Sequence, residues 1–533
     1  MKIAFLNFWD DHDNNSWLLN YVKENIDKHA HTVKYTDNPD ILFCSVAGKI
    51  QKVNKVNAKI KVFICGENPD RFPPYNDLKL LKNTFDIVLG FWNTDMSNMV
   101  SRFPIWLIYF PFYSFDFDGN NLITHFLQLR KENLQKDKDM FATCISRHDY
   151  KGIRTILYNQ MSKHGKVFCP SKFKKNTENI GPTVKNKIDY ISKGKFHICP
   201  ENSFFPKYCT EKIFHALLAG TVPIYWGDDY PEKEILKREC CELINLHNVV
   251  ITDRQIQSII DRPEKYLFPN VFRSSGKYVI HHYYHSFKRQ IQTLLQPTLQ
   301  EIHGISYASR TFQNRKSEIE KASKDSKYFH SFRCYTEDDV LDEFKKKYKM
   351  LWNNNRGGGF WIWKPYILYQ HLQKMKEDDI LVYFDAGCEL STSKSARNRF
   401  RKYVQMINNH WTGFLRFSLE HLENNYTNTK TKKYFQKYFN DYDTDIENKN
   451  QLVGGILFIR KNRFAMDFFK EILEILDNDP YLFSDKYTTK DENHRHDQSI
   501  SSMLYKTMGG SLIIPDETYP VNKDYPINAA RLK

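Results

Sequence analysis

Short apolar runs alternate with longer polar stretches along the first half of the chain. Runs of this length between stretches of helical length are typical of buried parallel strands in α/β folds. A second set begins at Phe141 and ends in a helix predicted over residues 286–295. The pattern predicts two facing Rossmann-like lobes, residues 1–145 and 146–297, with ligands in the cleft between them. The apolar runs of the first lobe are 3–8, 41–46, 61–65, 87–91 and 105–110.

The pattern restarts after residues 296–298 with a new strand, a charged helix and another strand, over 302–308, 312–324 and 328–335. This restart predicts a separate α/β domain over residues 298–533. A buried strand near 379–384 is followed directly by Asp385. Residues 420–451 are rich in Asn, Lys, Tyr and Asp and lack a period, which predicts a long, mobile surface insertion.

The segment 196–227 carries the clearest chemistry. An apolar strand, a polar loop, a helix and a second apolar strand follow one another here. Thr210 is the predicted N-cap of the helix and Gly220 its predicted C-cap. Because a helix start presents free backbone amides, and Lys212 stands beside them, the unit is predicted to bind an anion such as a diphosphate.

This segment resembles the signature of the alpha-1,3-fucosyltransferases in three places: Pro-Glu-Asn-Ser (200–203), Tyr-Cys-Thr-Glu-Lys (208–212) and Val-Pro-Ile-Tyr-Trp-Gly (222–227). Residues 2–9, and residues 65–70 with 85–91, agree in the order that the family requires. The resemblance covers residues 1–295. It implies a GT-B fold, GDP-fucose as donor, and inverting transfer of fucose to a hydroxyl of a glycan acceptor.

The resemblance also implies roles for two residues of the first half. Glu67 matches the general base, and the chemistry requires such a carboxylate within hydrogen-bond reach of the acceptor hydroxyl. The alternative for Glu67 is a surface turn. Arg154 matches a phosphate ligand of the family. The chemistry agrees with this role, since a guanidinium at a helix start can clamp two phosphate oxygens. Arg147 and Lys151 are alternatives for that role.

The residues around the predicted helix start complete the site. A cation in the first turn is disfavoured by the helix dipole unless an anion lies nearby, so Lys212 is predicted to bind phosphate. Glu211 is predicted to accept hydrogen bonds from sugar hydroxyls and to stabilise positive charge in the transition state; its alternative role is a favourable N-terminal carboxylate. The predicted nucleotide or ribose contacts are Glu201, Asn202 and Tyr208.

The second half is similar to the GT-A glycosyltransferases, although less closely. The resemblance rests on residues 355–365, on the strand that ends at Asp385, and on residues 452–459 and 494–500. Asp385 is predicted as a metal or ribose ligand for a nucleotide sugar, with manganese or magnesium as the ion because such sites favour oxygen ligands. The alternative is an Asp that caps the strand end. The family's Asp-any-Asp motif has glycine at its third position here. Glu389 or His496 would then have to supply the missing metal ligand.

Two further residues of the second half have alternative roles. Asp497 is predicted as a base or acceptor contact, with a helix N-cap as the alternative. Lys364 precedes a proline at a predicted helix start. It either reaches phosphate or is a solvated side chain.

Composition limits the other functional classes. The 533 residues include 78 Lys and Arg against 63 Asp and Glu, a net charge of +15, but no basic block forms a binding arm. Nucleic-acid binding is therefore not predicted. Ten cysteines without a Cys-x-x-Cys pair predict reduced thiols and no zinc site. The adjacent histidines near 281–285 are predicted as a polar helix approach rather than a metal site.

The chain begins directly with a strand pattern, so no signal peptide, membrane span or membrane partner is expected and a cytoplasmic location is predicted. Animal and plant relatives of the family usually carry an N-terminal membrane anchor, which favours a bacterial or viral setting. Together these observations predict a bifunctional glycosyltransferase, a fucosyltransferase followed by a second nucleotide-sugar transferase. The alternative is a single active fucosyltransferase whose C-terminal domain is a non-catalytic glycan-binding or scaffold module.

Overall fold

The computed structural model describes residues 1–8, 12–110, 117–228, 232–297 and 299–532, with backbone alone for 12–15. The chain divides into two compact units, Met1–Pro297 and Thr298–Lys533. Trp9 of the predicted opening motif and Thr298 of the predicted break lie outside the described residues.

The first unit opens with a six-stranded parallel sheet in the order β2-β1-β3-β4-β5-β6. The central strands are completely buried, since helices cover both faces of such a sheet. Its strands are β1 (Lys2–Leu6), β2 (His31–Thr32), β3 (Ile41–Cys44), β4 (Ile60–Ile64), β5 (Ile87–Gly90) and β6 (Val100–Arg102). Its helices are α1 (His12–Asn25), α2 (Gln51–Asn54), α3 (Leu78–Thr84) and α4 (Gly119–Leu134).

The predicted strand over residues 105–110 is wrong. Ile105–Ile108 form a buried 3₁₀ turn that follows Pro104, and the sixth strand is instead the short β6. Burial explains the error: a short apolar run is equally compatible with a strand or with any other buried segment, so its periodicity does not discriminate between them.

A second parallel sheet follows in the same unit, in the order β10-β9-β7-β8. Two parallel sheets in sequence confirm the two Rossmann-like lobes predicted for the first half of the chain. The strands are β7 (Met140–Cys144), β8 (Val167–Phe168), β9 (Gly194–Ile198) and β10 (Val222–Ile224). The helices are α5 (Ile153–Ser162), α6 (Val184–Ile191), α7 (Glu211–Leu218), α8 (Val249–Asp261) and α9 (Gly276–Leu295).

The lobe boundaries differ from the predicted ones at both ends. Strand β7, which the boundary at residue 145 assigns to the first lobe, pairs with β8 and β9 in the second sheet. Helix α9 begins ten residues before the predicted 286 and packs on α4 and β6 of the first lobe. Phe287 of α9 stacks on Tyr21 with 4.8 Å between ring centroids. The last helix of this unit therefore packs against the first lobe. The order of apolar runs along the sequence does not predict this contact.

The second unit is built on a mixed sheet. Its path is β12-β11-β13-β17-β15-β16, with β18 beside β15, and a β14–β19 ribbon lies apart. The three strands β12, β11 and β13 are parallel, while β17 is antiparallel to both β13 and β15. The strands are β11 (Ile302–Tyr307), β12 (Ser331–Tyr335), β13 (Ile380–Phe384), β14 (Glu389–Leu390), β15 (Phe414–Leu422), β16 (Asn450–Leu452), β17 (Ile456–Arg460), β18 (Ile513–Pro515) and β19 (Ile527–Asn528).

Helices flank this mixed sheet and complete a separate α/β unit, whose likeness to the GT-A class stays a prediction. Amphipathic α18 buries Phe464, Phe468 and Phe469. The helices are α10 (Arg315–Ser326), α11 (Asp342–Lys347), α12 (Lys349–Trp352), α13 (Gly357–Phe360), α14 (Trp363–Lys374), α15 (Lys394–Asn409), α16 (Glu423–Tyr426), α17 (Thr429–Tyr438), α18 (Arg463–Asn478) and α19 (Asp497–Thr507).

The predicted surface insertion over residues 420–451 is instead part of this folded unit. It contains α16, α17 and β16, and Glu423 near its start has no exposed surface. The Glu423 carboxylate accepts hydrogen bonds from Thr427, Gln451 and Ser502 and pairs with Lys506 Nζ at 2.7 Å. The prediction failed because polar composition was taken as a sign of exposure, whereas buried polar groups are tolerated when they are hydrogen-bonded.

All ten cysteines are free and buried. Among the helices that the structure describes, none combines the length and the apolar character needed to cross a membrane.

Candidate active sites

Glu67 lies in the loop that follows β4, at the carboxyl end of the first sheet. The nearest cationic atom paired with its carboxylate is Arg71 Nη1, 3.9 Å from Oε2. Within the described residues that Oε2 is buried and has no hydrogen-bond partner. Burial raises the pKa of Glu67, and the charges of Lys212 and Arg71 only partly oppose this effect. A partly buried carboxylate with an unused oxygen and a raised pKa suits a general base.

Asn68, which the sequence analysis did not single out, joins the Glu67 loop to the signature loop after β9. Its Nδ2 donates to Ser203 Oγ at 2.7 Å and to the Phe204 carbonyl at 2.9 Å. The residue is buried. The signal was present in the sequence, because Asn68 directly follows the predicted base and an amide can serve two partners at once.

Lys212 lies in the first turn of α7, as predicted, but its immediate partner is protein. Its Nζ lies 3.0 Å from Glu201 Oε2 and 2.7 Å from Thr210 Oγ1. Burial lowers the pKa of Lys212, yet Glu201 and Glu211 outweigh that effect, so the pKa lies above the ordinary value. Lys212 therefore stays charged in a site largely closed to water.

Glu201, predicted as a nucleotide or ribose contact, is engaged by protein groups. It is completely buried, and its two oxygens accept hydrogen bonds from the Thr210 amide and hydroxyl, both at 2.7 Å. Since the Thr210 hydroxyl is used in this way, Thr210 occupies the N-cap position without capping α7 through its side chain. Glu201 thus holds the start of α7 and Lys212 in place.

Glu211, the next signature carboxylate, pairs with Lys187 at 3.2 Å and keeps some exposed surface. Burial would raise the pKa of Glu211, but Lys212 and Lys187 outweigh it and hold the pKa well below the ordinary value. The side chain is therefore an anion that can accept hydrogen bonds. Both predicted roles, sugar contact and helix-start carboxylate, are compatible with this position.

Arg154 is the second residue of α5 and reaches the signature loop. Its Nη2 donates to Asn202 Oδ1 at 2.5 Å, and its Nη1 donates to the His148 carbonyl at 2.7 Å. Arg154 is buried, whereas Arg147 and Lys151, the alternatives for its role, are exposed. The structure thus brings Arg154 and Asn202, both predicted site residues, into contact.

Tyr208 also departs from its predicted nucleotide contact. It is buried, its ring meets that of Phe91 edge-on at 5.0 Å, and burial raises its pKa well above the ordinary value. The preceding carbonyl, of Lys207, accepts from Arg102 Nη1 at 3.2 Å. Arg102 pairs in turn with Glu232 at 2.5 Å. Arg102 thus holds the signature loop by a hydrogen bond, and Tyr208 holds it by packing against Phe91.

In the second unit, one lysine joins the two predicted carboxylates. Lys364, the second residue of α14, lies 2.9 Å from Asp497 Oδ2 and 3.5 Å from Asp385 Oδ1. Its side chain is 7% exposed, so the solvated alternative is wrong. Burial lowers the pKa of Lys364, but the two carboxylates outweigh it and raise the pKa. Asp497 begins α19 after the N-cap residue His496, and burial raises its pKa.

The residues around Asp385 do not fit the predicted manganese or magnesium site. His496 Nε2 lies 3.0 Å from Asp485, and the His496 ring stacks on Phe360. Glu389 is exposed in the β14–β19 ribbon. Among the described residues, the one group of three side chains able to share a metal ion is Glu301, His303 and Asp379. That group precedes β13, whereas Asp385 follows it.

A cavity of about 620 Å³ opens beside Asp385 and is lined mostly by apolar groups. Tyr307 and Trp363 stack in its wall with 3.7 Å between ring centroids. Gly455 gives Asp385 room, since a Cβ there would lie 2.6 Å from Asp385 Oδ2. A cavity of this size with convergent polar groups is typical of small-molecule sites.

Two family models match the first unit. Residues 3–109 match the N-terminal domain of alpha-(1,3)-fucosyltransferase FucT, and residues 134–240 match the C-terminal domain of glycosyltransferase family 10, described as fucosyltransferase. The first match contains Glu67, and the second contains Arg154, Glu201 and Lys212. Together with the relative described next, these similarities cover about half of the chain.

The alpha-(1,3)-fucosyltransferase FucT of Helicobacter pylori is 26% identical over 285 residues, which are 49% of this chain and 56% of that protein. The chain thus spans about half the length of this relative. The 4-galactosyl-N-acetylglucosaminide 3-alpha-L-fucosyltransferase 9 of Bos taurus is 49% identical over 45 residues, 8% of this chain and 12% of that protein. A crystal structure of alpha1,3-fucosyltransferase with GDP-fucose is 20% identical, covers 56% of this chain and 91% of that one, and has a TM-score of 0.39.

Proposed function

We propose that the first unit transfers fucose from GDP-fucose to a glycan hydroxyl, with inversion and alpha-1,3 regiochemistry. The observation that carries the proposal is the meeting of Glu67, which keeps an unused carboxylate oxygen, with the Arg154–Asn202 and Lys212–Glu201 pairs. The Lys212 charge and a hydrogen bond with Asn202 lower the pKa of Glu67 against the effect of its burial, which supports one shared site for the base and these residues. The two matched domain models support the same assignment.

The reaction follows from these positions. The acceptor oxygen attacks the anomeric carbon of fucose while the bond from that carbon to the diphosphate oxygen breaks. Glu67 takes the proton from the acceptor hydroxyl. GDP leaves with its negative charge stabilised by Lys212, Arg154 and the start of α7. Glu211 accepts hydrogen bonds from sugar hydroxyls and stabilises positive charge that develops on the ring.

The test is a transfer assay with GDP-fucose on the full chain. The first acceptor is a 4-galactosyl-N-acetylglucosaminide, the class named for the bovine relative. Transfer by the wild type, its loss in Glu67→Gln and its retention in Asp70→Asn support the proposal. Asp70 is the matched control because it is an exposed carboxylate of the same loop. Absence of both transfer and GDP binding in the folded wild type would overturn the proposal.

The second unit is proposed as a nucleotide-sugar transferase of GT-A type, with Asp497 as base or acceptor contact. The supporting observation is the cavity lined by Asp385, whose carboxylate lies 3.5 Å from Lys364 Nζ, which in turn lies 2.9 Å from Asp497. The alternative, a non-catalytic glycan-binding or scaffold module, predicts glycan binding at the same aromatic wall without nucleotide turnover.

Glu67→Gln removes the first activity and provides the background for this test. Released nucleotide is then measured over a panel of nucleotide sugars, with and without Asp385→Asn. Turnover that depends on Asp385 supports the second transferase. Glycan binding without turnover favours the alternative.

A further inference from the structure

We propose that the site beside Asp385 binds its ligand without a divalent cation, because the Lys364 ammonium holds the position between Asp385 and Asp497 that a metal ion would need. The assignment of a nucleotide sugar as ligand rests on the proposed function of the second unit. The metal-free character of the site rests on the geometry of Lys364 alone.

The Lys364 ammonium is fully used by the protein. Its Nζ lies 2.9 Å from Asp497 Oδ2, 3.5 Å from Asp385 Oδ1 and 3.3 Å from the Gly454 carbonyl. An ammonium group has three N–H donors, and three acceptors surround this one. The side chain enters from α14 and is 7% exposed. A lysine without these carboxylates would be costly to bury, so the triad is mutually dependent.

One oxygen of the Asp385 carboxylate is already engaged by protein groups, while the side chain is 44% exposed to the cavity. The oxygen that faces Lys364, Oδ1, also accepts a hydrogen bond from the Tyr383 hydroxyl at 2.5 Å. The other oxygen, Oδ2, lies against Gly455. Magnesium requires near-octahedral oxygen ligands at about 2.1 Å, and a cation at that distance from both carboxylates would coincide with the ammonium.

The neighbouring residues do not rebuild the missing coordination. Glycine stands at the third position of the Asp-any-Asp motif, and a Cβ at Gly387 would lie 2.9 Å from the Leu532 carbonyl. A side chain there would therefore displace the backbone of the C-terminal segment. His496, the predicted replacement ligand, is directed to Asp485. The deviation in the motif and the position of Lys364 thus lead to the same conclusion.

The ligand class follows from what remains available. Carboxylate oxygens accept hydrogen bonds from sugar hydroxyls. Arg531 lines the same cavity and provides positive charge, whereas Arg310, which also lines it, is held by Glu337 and by the Asn354 and Trp352 carbonyls. The aromatic wall of Tyr307 and Trp363 suits the face of a sugar or a base. The site therefore fits a glycosyl nucleotide whose diphosphate meets the Arg531 guanidinium instead of a metal ion.

The decisive experiment titrates the full chain with Mn²⁺ and follows free Mn²⁺ by electron paramagnetic resonance. The titration uses His303→Ala as background, because Glu301, His303 and Asp379 form a separate candidate group. We expect no stoichiometric binding in this background. Adding Lys364→Met to this background should raise the affinity for Mn²⁺ at least tenfold over that of the background alone. Adding Asp385→Asn as well should remove this binding.

Stoichiometric Mn²⁺ binding in the His303→Ala background that Asp385→Asn abolishes would overturn the inference. This part of the titration needs no Lys364 variant, so it decides the question even if Lys364→Met does not fold.

In parallel, calorimetry with uridine and guanosine diphosphates compares EDTA with Mn²⁺ in the Glu67→Gln chain, and the Asp385→Asn variant assigns binding to the second unit. Equal affinity in both conditions supports the inference, and loss in EDTA contradicts it. No Asp385-dependent binding in either condition counts against the second transferase, while the Mn²⁺ titration still decides the cation question.

Discussion

Lys212 Nζ lies 3.0 Å from Glu201 Oε2, and Glu201 has no surface exposed to solvent. Glu201 therefore holds Lys212 in place, and we expect it to affect a ligand through that lysine. Signature residues of this kind would support the residues that contact the ligand. The distinction can be tested by comparing stability with ligand affinity.

Glu201→Gln should destabilise the first unit by about 3 kcal/mol, because an amide cannot compensate the buried ammonium of Lys212. GDP affinity should fall as a consequence, by about tenfold, which corresponds to about 1.4 kcal/mol. Calorimetric unfolding and GDP titration measure the two effects. Lys212→Met is the matched variant and should lose GDP affinity at least as strongly. If Glu201→Gln lost GDP binding at unchanged stability, Glu201 would be the direct ligand contact that its motif predicts.

Glu67→Gln should lower the transfer rate by about 10²–10⁴-fold while GDP affinity stays within a factor of two or three, since only the proton acceptor is removed. The pH dependence gives an independent check. Burial raises the pKa of Glu67 above the ordinary 4.5, so the base becomes protonated at a higher pH than an exposed glutamate would. The acid limb of kcat/KM should therefore lie above pH 4.5 and disappear in the Gln variant. An acid limb that persists unchanged would assign the base to another group.

Asn68→Ala should lower kcat more than it weakens GDP binding. The substitution removes the two hydrogen bonds to Ser203 and Phe204 that hold the Glu67 loop against the signature loop. Ser203→Ala removes only one of them and is the matched control. Steady-state kinetics with separate kcat and KM values distinguish the two variants. If Asn68→Ala changed kcat and KM to the same extent, the cause would be a general loss of structure rather than a displaced base.

The apolar pattern predicted the long buried strands of both lobes, such as β3 and β9, because a parallel sheet buries both faces and its strands become short runs without alternation; it missed the short strands β2, β6 and β8. It did not predict the return of α9 to the first lobe, since the contact between Tyr21 and Phe287 joins residues far apart in sequence. The motifs predicted that Arg154, Asn202 and Lys212 belong to one site, and the structure places Arg154 in contact with Asn202. The motifs could not tell Glu201 from a ligand contact, because burial is a property of the packed site.

The buried polar network around Glu423 could not be predicted from the sequence for another reason. Its members are polar and scattered over residues 423–506, so no local pattern marks them as core. Only the fold brings Glu423, Gln451 and Lys506 within hydrogen-bond distance. A composition that is typical of an exposed insertion is therefore compatible with a buried polar network, provided that every member has its partners.

Glu423→Gln should accordingly destabilise the second unit by about 3–5 kcal/mol, because Lys506 is left buried beside a neutral group. Lys506→Met should cost a similar amount, and the double variant should cost less than the sum of the two. A double-mutant cycle from denaturant unfolding of this unit gives the coupling. Additive costs would show that the pair does not act as one buried unit.

Gly455→Ala should weaken ligand binding beside Asp385 without unfolding the second unit. An added Cβ would lie 2.6 Å from Asp385 Oδ2, so the carboxylate must rotate away and break its contacts with Lys364 or Tyr383. Binding of nucleotide diphosphates by calorimetry, with thermal unfolding as the fold check, measures the effect. The double variant Gly455→Ala/Asp385→Ala relieves the clash, so it should lose less stability than the sum of the losses in the two single variants. If Gly455→Ala binds like the wild type, the side chain of Asp385 does not contribute to the ligand site.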